Sequence, residues 1–176
     1  MKSMFSSRGL LAFAVALAMA QFACGLGAQQ PATAEPQATQ PPAGTPSEHG
    51  SVDEAKAMLA QAVAHYNGVG RDQALKDFTA GAAPFKDRDL YVACTNDKHI
   101  TTANGGFPTL VGVSVDSILT TDGKPVGSES WAMASATDVN EIHYNWTDPV
   151  TGITEPKTLF FQKMASDVCG VGVYTP

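Results

Sequence analysis

The sequence has 176 residues, of which 44% are hydrophobic and 16% are charged, and its formal net charge at pH 7 is −6. This length is typical of one domain with extensions rather than of two domains. Nucleic-acid binding is disfavoured, because phosphate contacts require clustered Lys and Arg side chains and the sequence contains no such cluster.

Residues 1–28 have the pattern of a secretory signal peptide. Lys2 and Arg8 provide the positive start, and the apolar run LLAFAVAL that follows is too short to span a bilayer stably. The string QFAC, which ends at Cys24, resembles a lipoprotein box but carries Gln21 where an aliphatic residue is expected. Lipidation at Cys24 and retention as an uncleaved membrane anchor are therefore the less favoured alternatives. We expect an exported protein that is periplasmic or secreted.

The next segment, residues 29–50, contains five prolines among Gln, Ala, Thr and Ser and almost no large apolar residue. Such a composition cannot offset the entropy cost of ordering, so a semi-extended linker is predicted. Two interpretations stay open: a tether that holds the domain away from a membrane, or a disordered mature N-terminus without a role. A single folded domain is expected over residues 51–176.

Two helices are predicted at the start of this domain. Ser51 and Glu54 fit a capping box, in which each side chain satisfies a backbone N–H group. The apolar residues that follow recur at helical spacing over about four turns and would form one buried stripe. They are Ala55, Met58, Leu59, Ala62, Val63 and Tyr66. A short second helix is expected over residues 73–79, with Ala74 and Phe78 on one face.

Two strands and an irregular connection are predicted next. Residues 89–95 form the first strand, and residues 99–102 form a short return strand after a polar turn. The connection contains the glycine loop NGGFP and then a helix over residues 128–136. Ser128 is expected to cap this helix, with Trp131 on its inner face.

The C-terminal stretch alternates β-forming runs with turn residues. Ile142, Tyr144 and Trp146 recur at a spacing of two and would share one face of a strand. The string DPVTG then predicts a turn, and residues 157–164 and 168–174 predict two further strands. The elements together predict an α+β fold: a five-stranded antiparallel sheet with a long N-terminal helix and short helices on one side.

Cys94 and Cys169 are the two cysteines outside the leader, and both fall in predicted strands. An even count in an oxidising compartment is compatible with a disulfide between them, and the sequence does not decide between this bond and free thiols. Two small buried thiols, or a redox pair in an exported enzyme or redox protein, are the alternatives.

The sequence predicts neither a metal site nor an enzyme. The four histidines show no H-x-x-x-H or Cys/His ligand spacing, and there is no G-x-S-x-G, P-loop or C-x-x-C motif. The scattered acidic residues suit a solvated surface better than an acid–base pair. No cofactor is therefore expected.

Several short strings in the folded region point to a known family through their joint order and spacing. They are DLYV at 89–92, LVG at 110–112, DGK at 122–124, YNW at 144–146, DP and TG within 148–152, EPK at 155–157 and GVGVY at 170–174. In this arrangement the chain resembles the single Cache domain, a PAS-like extracellular sensor module of bacterial chemoreceptors and kinases. The resemblance extends over roughly residues 51–174.

The resemblance implies a sensor domain, not an enzyme, that binds a small metabolite such as a short organic acid in a pocket beside the sheet. A membrane receptor or a kinase is the implied partner. Receptors of this family continue into a transmembrane helix after the last strand, and this sequence does not, so a free-standing exported form is expected. The residues implied to form or cover the pocket are Tyr91, Phe107, Trp131, Tyr144, Trp146 and Lys157.

Spacing alone leaves another interpretation open, in which Tyr144 and Trp146 are core residues and Lys157 extends its amine to solvent. In the ligand-binding interpretation, Lys157 meets a ligand carboxylate where water is scarce and the attraction between opposite charges is strong. The functional alternative is an interaction or assembly protein that keeps the fold and fills the pocket with its own side chains.

Overall fold

The computed structural model of the chain describes residues 49–175. The predicted signal peptide, Cys24 and residues 29–48 of the predicted linker lie outside the described residues. The packed region begins before the predicted boundary at Ser51. Gly50 is buried, and its backbone N–H donates a 2.6 Å hydrogen bond to Asp89 Oδ1.

Two helices open the domain, α1 (Val52–Val69) and α2 (Arg71–Ala80). The predicted capping box is confirmed: Glu54 N donates to Ser51 Oγ at 3.2 Å, and Ser51 N donates to Glu54 Oε2 at 2.7 Å. The predicted apolar stripe of α1 is buried in the main core, with Val63 packed at its margin. On α2 the buried residues include the predicted pair, Ala74 and Phe78.

Six strands form an antiparallel sheet in the order β1-β2-β6-β5-β4, with β3 also paired to β2. The strands are β1 (Lys86–Asp87), β2 (Leu90–Asn96), β3 (Thr101–Asn104), β4 (Asn140–Thr147), β5 (Thr154–Met164) and β6 (Asp167–Tyr174). The predicted fold class is confirmed. The additional strand, β1, has two residues and pairs with the start of β2, and a strand of that length shows no period-two pattern.

The return strand β3 begins two residues later than predicted, at Thr101. The side chain of Asn96 is the reason, because its Oδ1 accepts hydrogen bonds from Lys98 N and Ile100 N, each at 3.0 Å. The turn is thereby extended through His99, which has a positive φ of 56°. An asparagine that bonds to the backbone after it competes locally with strand pairing.

The two faces of the sheet are covered by different parts of the chain, because side chains alternate along a strand. Leu90, Val92, Phe160 and Val171 pack with α1 and α2 in the main core. The opposite face is covered by the connection between β3 and β4, which includes α3 (Val126–Met133).

The third helix therefore differs from the expectation that the helices share one side. It packs through Val126 and Trp131 against the apolar patch of Ile142, Phe161 and Val168. Its start also differs, because the helix begins at Val126, directly after Pro125. The predicted cap, Ser128, instead donates from its hydroxyl to Asp116.

Cys94 and Cys169 are partners in the register of β2 and β6, and the structure joins them by a disulfide. The bond lies within the main core, where both residues are fully buried. It connects the first long strand of the sheet to the last.

Within residues 49–175, the helices are too short or too polar to cross a membrane.

Candidate ligand-binding site

A cavity lies between the sheet and the connection from β3 to β4. Its volume is about 120 Å³, counted as the space open to the centre of a water molecule. One water molecule needs about 10–15 Å³ of such space, so the cavity has room for a molecule of several non-hydrogen atoms. Strands β2 to β6 contribute Tyr91, Ala93, Cys94, Thr95, Thr101, Asn104, Tyr144, Trp146, Lys157, Leu159, Val168, Gly170 and Gly172. The connection contributes Leu110, Val115, Ile118, Val126, Gly127 and Ser130.

Lys157 places a primary amine at this cavity. The residue is 2% exposed, and it lies opposite Tyr144 of β4 and Tyr174 of β6. Its Nζ donates to the Oη atoms of Tyr91 at 3.0 Å and Tyr174 at 3.1 Å. The Tyr174 hydroxyl in turn donates to the carbonyl oxygen of Thr147 at 2.6 Å. The amine is thus held by neutral hydroxyls, and no carboxylate of the described residues forms an ion pair with it.

The electrostatic setting of this amine follows from its burial. Burial lowers the pKa of Lys157 to about 7, although the negative charges of Asp89 and Asp148 raise it in part. Burial also raises the pKa values of Tyr91 and Tyr144 above the ordinary phenol value, so both hydroxyls stay neutral near pH 7. An anionic ligand beside Lys157 would favour its ammonium form, because an opposite charge stabilises the charged state.

Space for the lysine side chain comes from glycines on β6. A Cβ atom at Gly172 would collide with the Lys157 side chain, and one at Gly170 would lie 2.8 Å from both Leu159 Cδ1 and Phe160 O. The valines between and after these glycines belong to the main core on the other face. The alternation of glycine and valine in GVGVY therefore encodes a cavity floor on one side and core packing on the other.

The structure brings four of the six predicted site residues to the cavity wall: Tyr91, Tyr144, Trp146 and Lys157. Phe107 lies behind this wall, with its ring edge-on to Tyr91 at 5.9 Å and to Trp146 at 6.2 Å between centroids. Its predicted position near the pocket agrees with these contacts, but it supports the wall rather than lining it.

Trp131 does not line the cavity. Its Nε1 donates a 2.8 Å hydrogen bond to Oγ1 of Thr95, which does line it, and its ring lies 6.0 Å from that of His99. The indole therefore fastens α3 to β2 beside the cavity.

The sequence analysis did not predict that Tyr174 bonds to Lys157, or that the charges of Asp89 and Asp148 act on this amine. Tyr174 follows Gly170 and Gly172 at a spacing of two, which was a usable indication that it shares their face. Asp89 and Asp148 lie at the ends of strands, where acidic residues commonly belong to turns. Nothing in the local sequence distinguished them from ordinary turn residues.

Solved structures of chemotaxis and chemosensory proteins share this fold. A methyl-accepting chemotaxis protein from Vibrio parahaemolyticus aligns with 69% of this chain and 86% of its own, at 20% identity and a TM-score of 0.58. A Cache chemosensory domain, described for its recognition of carboxylic acids, aligns with 70% and 88%, at 20% identity and a TM-score of 0.54. A periplasmic sensor domain of a chemotaxis protein aligns with 70% and 90%, at 18% identity and a TM-score of 0.52.

No protein-family model matches the sequence, and no curated protein matches it. The structural similarities nevertheless establish that the described residues have a Cache-like fold, as the resemblance in sequence predicts. A fold of this kind does not by itself define a function, which has to be argued from the site.

Proposed function

We propose that this protein is an exported sensory domain that binds a short organic acid, with the ligand carboxylate paired to Lys157. The observation that carries this proposal is the buried amine at the cavity. Its hydrogen-bond partners are the neutral hydroxyls of Tyr91 and Tyr174. A buried ammonium group without a paired anion is costly, and a ligand carboxylate would supply the missing negative charge.

The size and lining of the cavity narrow the ligand class. The volume of about 120 Å³ suits a few non-hydrogen atoms, and side chains such as Leu159, Val168 and Trp146 offer apolar contact. The Tyr91 hydroxyl accepts from Lys157 Nζ and can still donate its own proton to an anion, whereas the Tyr174 hydroxyl already donates to Thr147. A short carboxylate with a small apolar or hydroxylated tail fits these properties better than a long-chain acid. The solved Cache domain described for carboxylic acid recognition supports the same class.

Two features support export to an oxidising compartment. The leader at residues 1–28 has the pattern of a signal peptide. The Cys94–Cys169 bond is of the kind that persists outside the cytosol. One structural neighbour is described as a periplasmic sensor domain, which agrees with this location.

Occupancy of the cavity would be relayed through the segments that surround it. Phe107 contacts two rings of the cavity wall, and Trp131 fastens α3 to β2. A ligand that shifts Tyr91 or Trp146 would therefore move Phe107, and a ligand that shifts Thr95 would move α3 through Trp131. We propose that a membrane receptor or kinase reads this change.

The proposal is tested by thermal unfolding of the purified protein in the presence of short carboxylates, with primary amines and neutral amides of matched size as controls. A ligand at 100 times its dissociation constant adds about 2.7 kcal/mol of stability, which raises Tm by several degrees. Carboxylates are expected to raise Tm, and the matched amides are not. No shift with any carboxylate would favour the alternative, an interaction protein whose pocket holds no ligand.

A further inference from the structure

Residues from four separate segments meet beside the start of β2 and the turn between β4 and β5. His49, Asp148 and Glu155 each contribute one potential metal-binding atom, and these atoms all lie within 4.8 Å of one another. Asp89 adds a further carboxylate, because its Oδ2 lies 3.5 Å from His49 Nδ1. Sequence spacing could not indicate this group, since His49 and Asp89 are far along the chain from each other and from Asp148 and Glu155.

Two carboxylate oxygens in this group are buried and accept no hydrogen bond from the described residues. They are Asp89 Oδ2 and Glu155 Oε2. Asp89 is 0% exposed, and its other oxygen already accepts the hydrogen bond from Gly50 N. A buried anionic oxygen that has lost water and gained no donor is costly, so a positive partner is expected at this position.

Asp148 is also fully buried but has a different role. Its oxygens accept hydrogen bonds from Val150 N at 2.8 Å and Thr151 Oγ1 at 3.1 Å, which fix the carboxylate in the turn. Each carboxylate oxygen has a second lone pair, so both can still bind a cation. The turn therefore holds the Asp148 carboxylate in a fixed orientation in which it can bind a metal ion.

The negative charge of the group also favours a bound cation. Three carboxylates lie together, and Lys157 makes no ion pair with any of them among the described residues. His49 Nδ1 lies 3.7 Å from Asp148 Oδ2, which exceeds hydrogen-bond length. Such separations are close to the edge of about 3.4 Å of a tetrahedron whose metal–ligand bonds are about 2.1 Å long.

We propose that His49, Asp148 and Glu155 bind a first-row divalent transition-metal ion, with Asp89 as the adjacent fourth carboxylate. An imidazole nitrogen among carboxylates favours Zn²⁺ and related ions. Ca²⁺ and Mg²⁺ instead prefer six or more oxygen ligands or a water-rich shell. The side chains that would bind the metal ion differ from Lys157, which would bind the organic acid, so titration with the metal ion alone and titration with the acid alone test the two proposals separately.

Calorimetric titration of chelator-treated protein with Zn²⁺ and with Ca²⁺ tests this site. We expect one Zn²⁺ per chain, bound more tightly than Ca²⁺ by about tenfold or more. Glu155→Gln keeps the size of the side chain and removes its charge, and it should weaken Zn²⁺ binding by at least about tenfold. His49→Gln removes a ligand from a different segment and should have a similar effect.

A matched control is available in His99, which pairs with Asp116 at 2.9 Å outside this group. His99→Gln should leave the Zn²⁺ affinity unchanged. The visible spectrum of the Co²⁺ form gives a readout that needs no variant, because nitrogen and carboxylate ligands shift it away from that of the hydrated ion. Absence of saturable Zn²⁺ binding, a hydrated Co²⁺ spectrum, or equal losses in His99→Gln and Glu155→Gln would each overturn the proposal.

Discussion

Lys157 and Tyr174 are directly opposite each other in the β5–β6 ladder, and the amine of the first donates a 3.1 Å hydrogen bond to the phenol of the second. The polar centre of the candidate site is therefore built by strand pairing rather than by a loop. Sites on paired strands hold their side chains more accurately than sites on loops. The connection between β3 and β4 covers the cavity on the side opposite the sheet.

Replacement of Lys157 by methionine should separate ligand binding from stability. Methionine keeps a long unbranched side chain and removes the amine, so the dissociation constant of the best-binding carboxylate should rise by more than about tenfold (about 1.4 kcal/mol). Ligand-free stability should change little, because the substitution removes the desolvation cost of the buried amine together with its two hydrogen bonds to tyrosine hydroxyls. Thermal unfolding and calorimetry measure both effects.

Lys163→Met is the matched control for this experiment, because Lys163 lies on the same strand and is exposed. It should leave carboxylate binding unchanged. If Lys157→Met binds the carboxylate as well as the wild type, the amine is not the counter-ion.

Gly172→Ala should damage the cavity from the opposite strand. The added methyl group would collide with the Lys157 side chain. Overpacking of this kind costs about 1–3 kcal/mol and should also reduce the carboxylate-induced rise in Tm.

Gly68→Ala is the control for this experiment. Gly68 lies in α1 and has no neighbouring atom within 4 Å of the added group, so the substitution should stabilise the helix by about 0.5–1 kcal/mol. Chemical denaturation measures the free energy of unfolding of both variants. Equal stability of Gly172→Ala and Gly68→Ala would contradict the packing argument.

Stability should decrease at alkaline pH through Tyr66. Burial raises its pKa to about 12, and its hydrogen bond to the buried carboxylate of Asp167 contributes to that shift. An unfolded tyrosine has a pKa of about 10. Between that pH and the pKa of the folded state, the folded protein retains a proton that the unfolded protein has lost. The free energy of unfolding should therefore fall between about pH 10 and pH 12.

Tyr66→Phe isolates this contribution from that of the other buried tyrosines. The variant should be less stable near neutral pH, because it loses the 2.8 Å hydrogen bond to Asp167. Its further loss of stability above pH 10 should be smaller than that of the wild type. Denaturant titrations at several pH values compare the two slopes, and parallel slopes would exclude Tyr66 as the titrating group.

Removal of the disulfide should destabilise the domain. The bond joins residues separated by 75 positions, and loss of a native disulfide typically costs about 2–5 kcal/mol. The double variant Cys94→Ala, Cys169→Ala should show this loss in denaturant unfolding, and it should no longer respond to reductant. Equal stability of the reduced and oxidised wild type would argue against a structural bond.

Much of the fold could be predicted because the capping residues and the spacing of the apolar residues indicated the same elements. The capping box at Ser51, the stripe along α1 and the period-two run through Ile142 are strong local patterns, and the structure follows them. The features that were predicted incorrectly, which are the cap of α3 and the face of the sheet that it covers, depend on contacts between residues far apart in the sequence. Ser128 bonds to Asp116 rather than to its own helix, and α3 covers the apolar patch around Phe161 on the second face.

The candidate site was harder to predict for the same reason. Lys157, Tyr144 and Trp146 were found because the β4–β5 pairing and the family resemblance place them close in sequence and space. Tyr174 joins them only through the register of β6, and Asp89 only through the position of β2 beside it. The spacing along one strand shows which residues share a face, but it does not show which residue of a distant strand lies opposite them.

The covalent link between Cys94 and Cys169 also determines what a protease cut does to the protein. All of the connection between β3 and β4, together with β4 and β5, lies between the two cysteines in the sequence. A single cut anywhere in that connection would leave two fragments that migrate as one species without reductant. Because the strands on both sides of the cut stay paired in the same sheet, the nicked protein would keep the floor of its cavity.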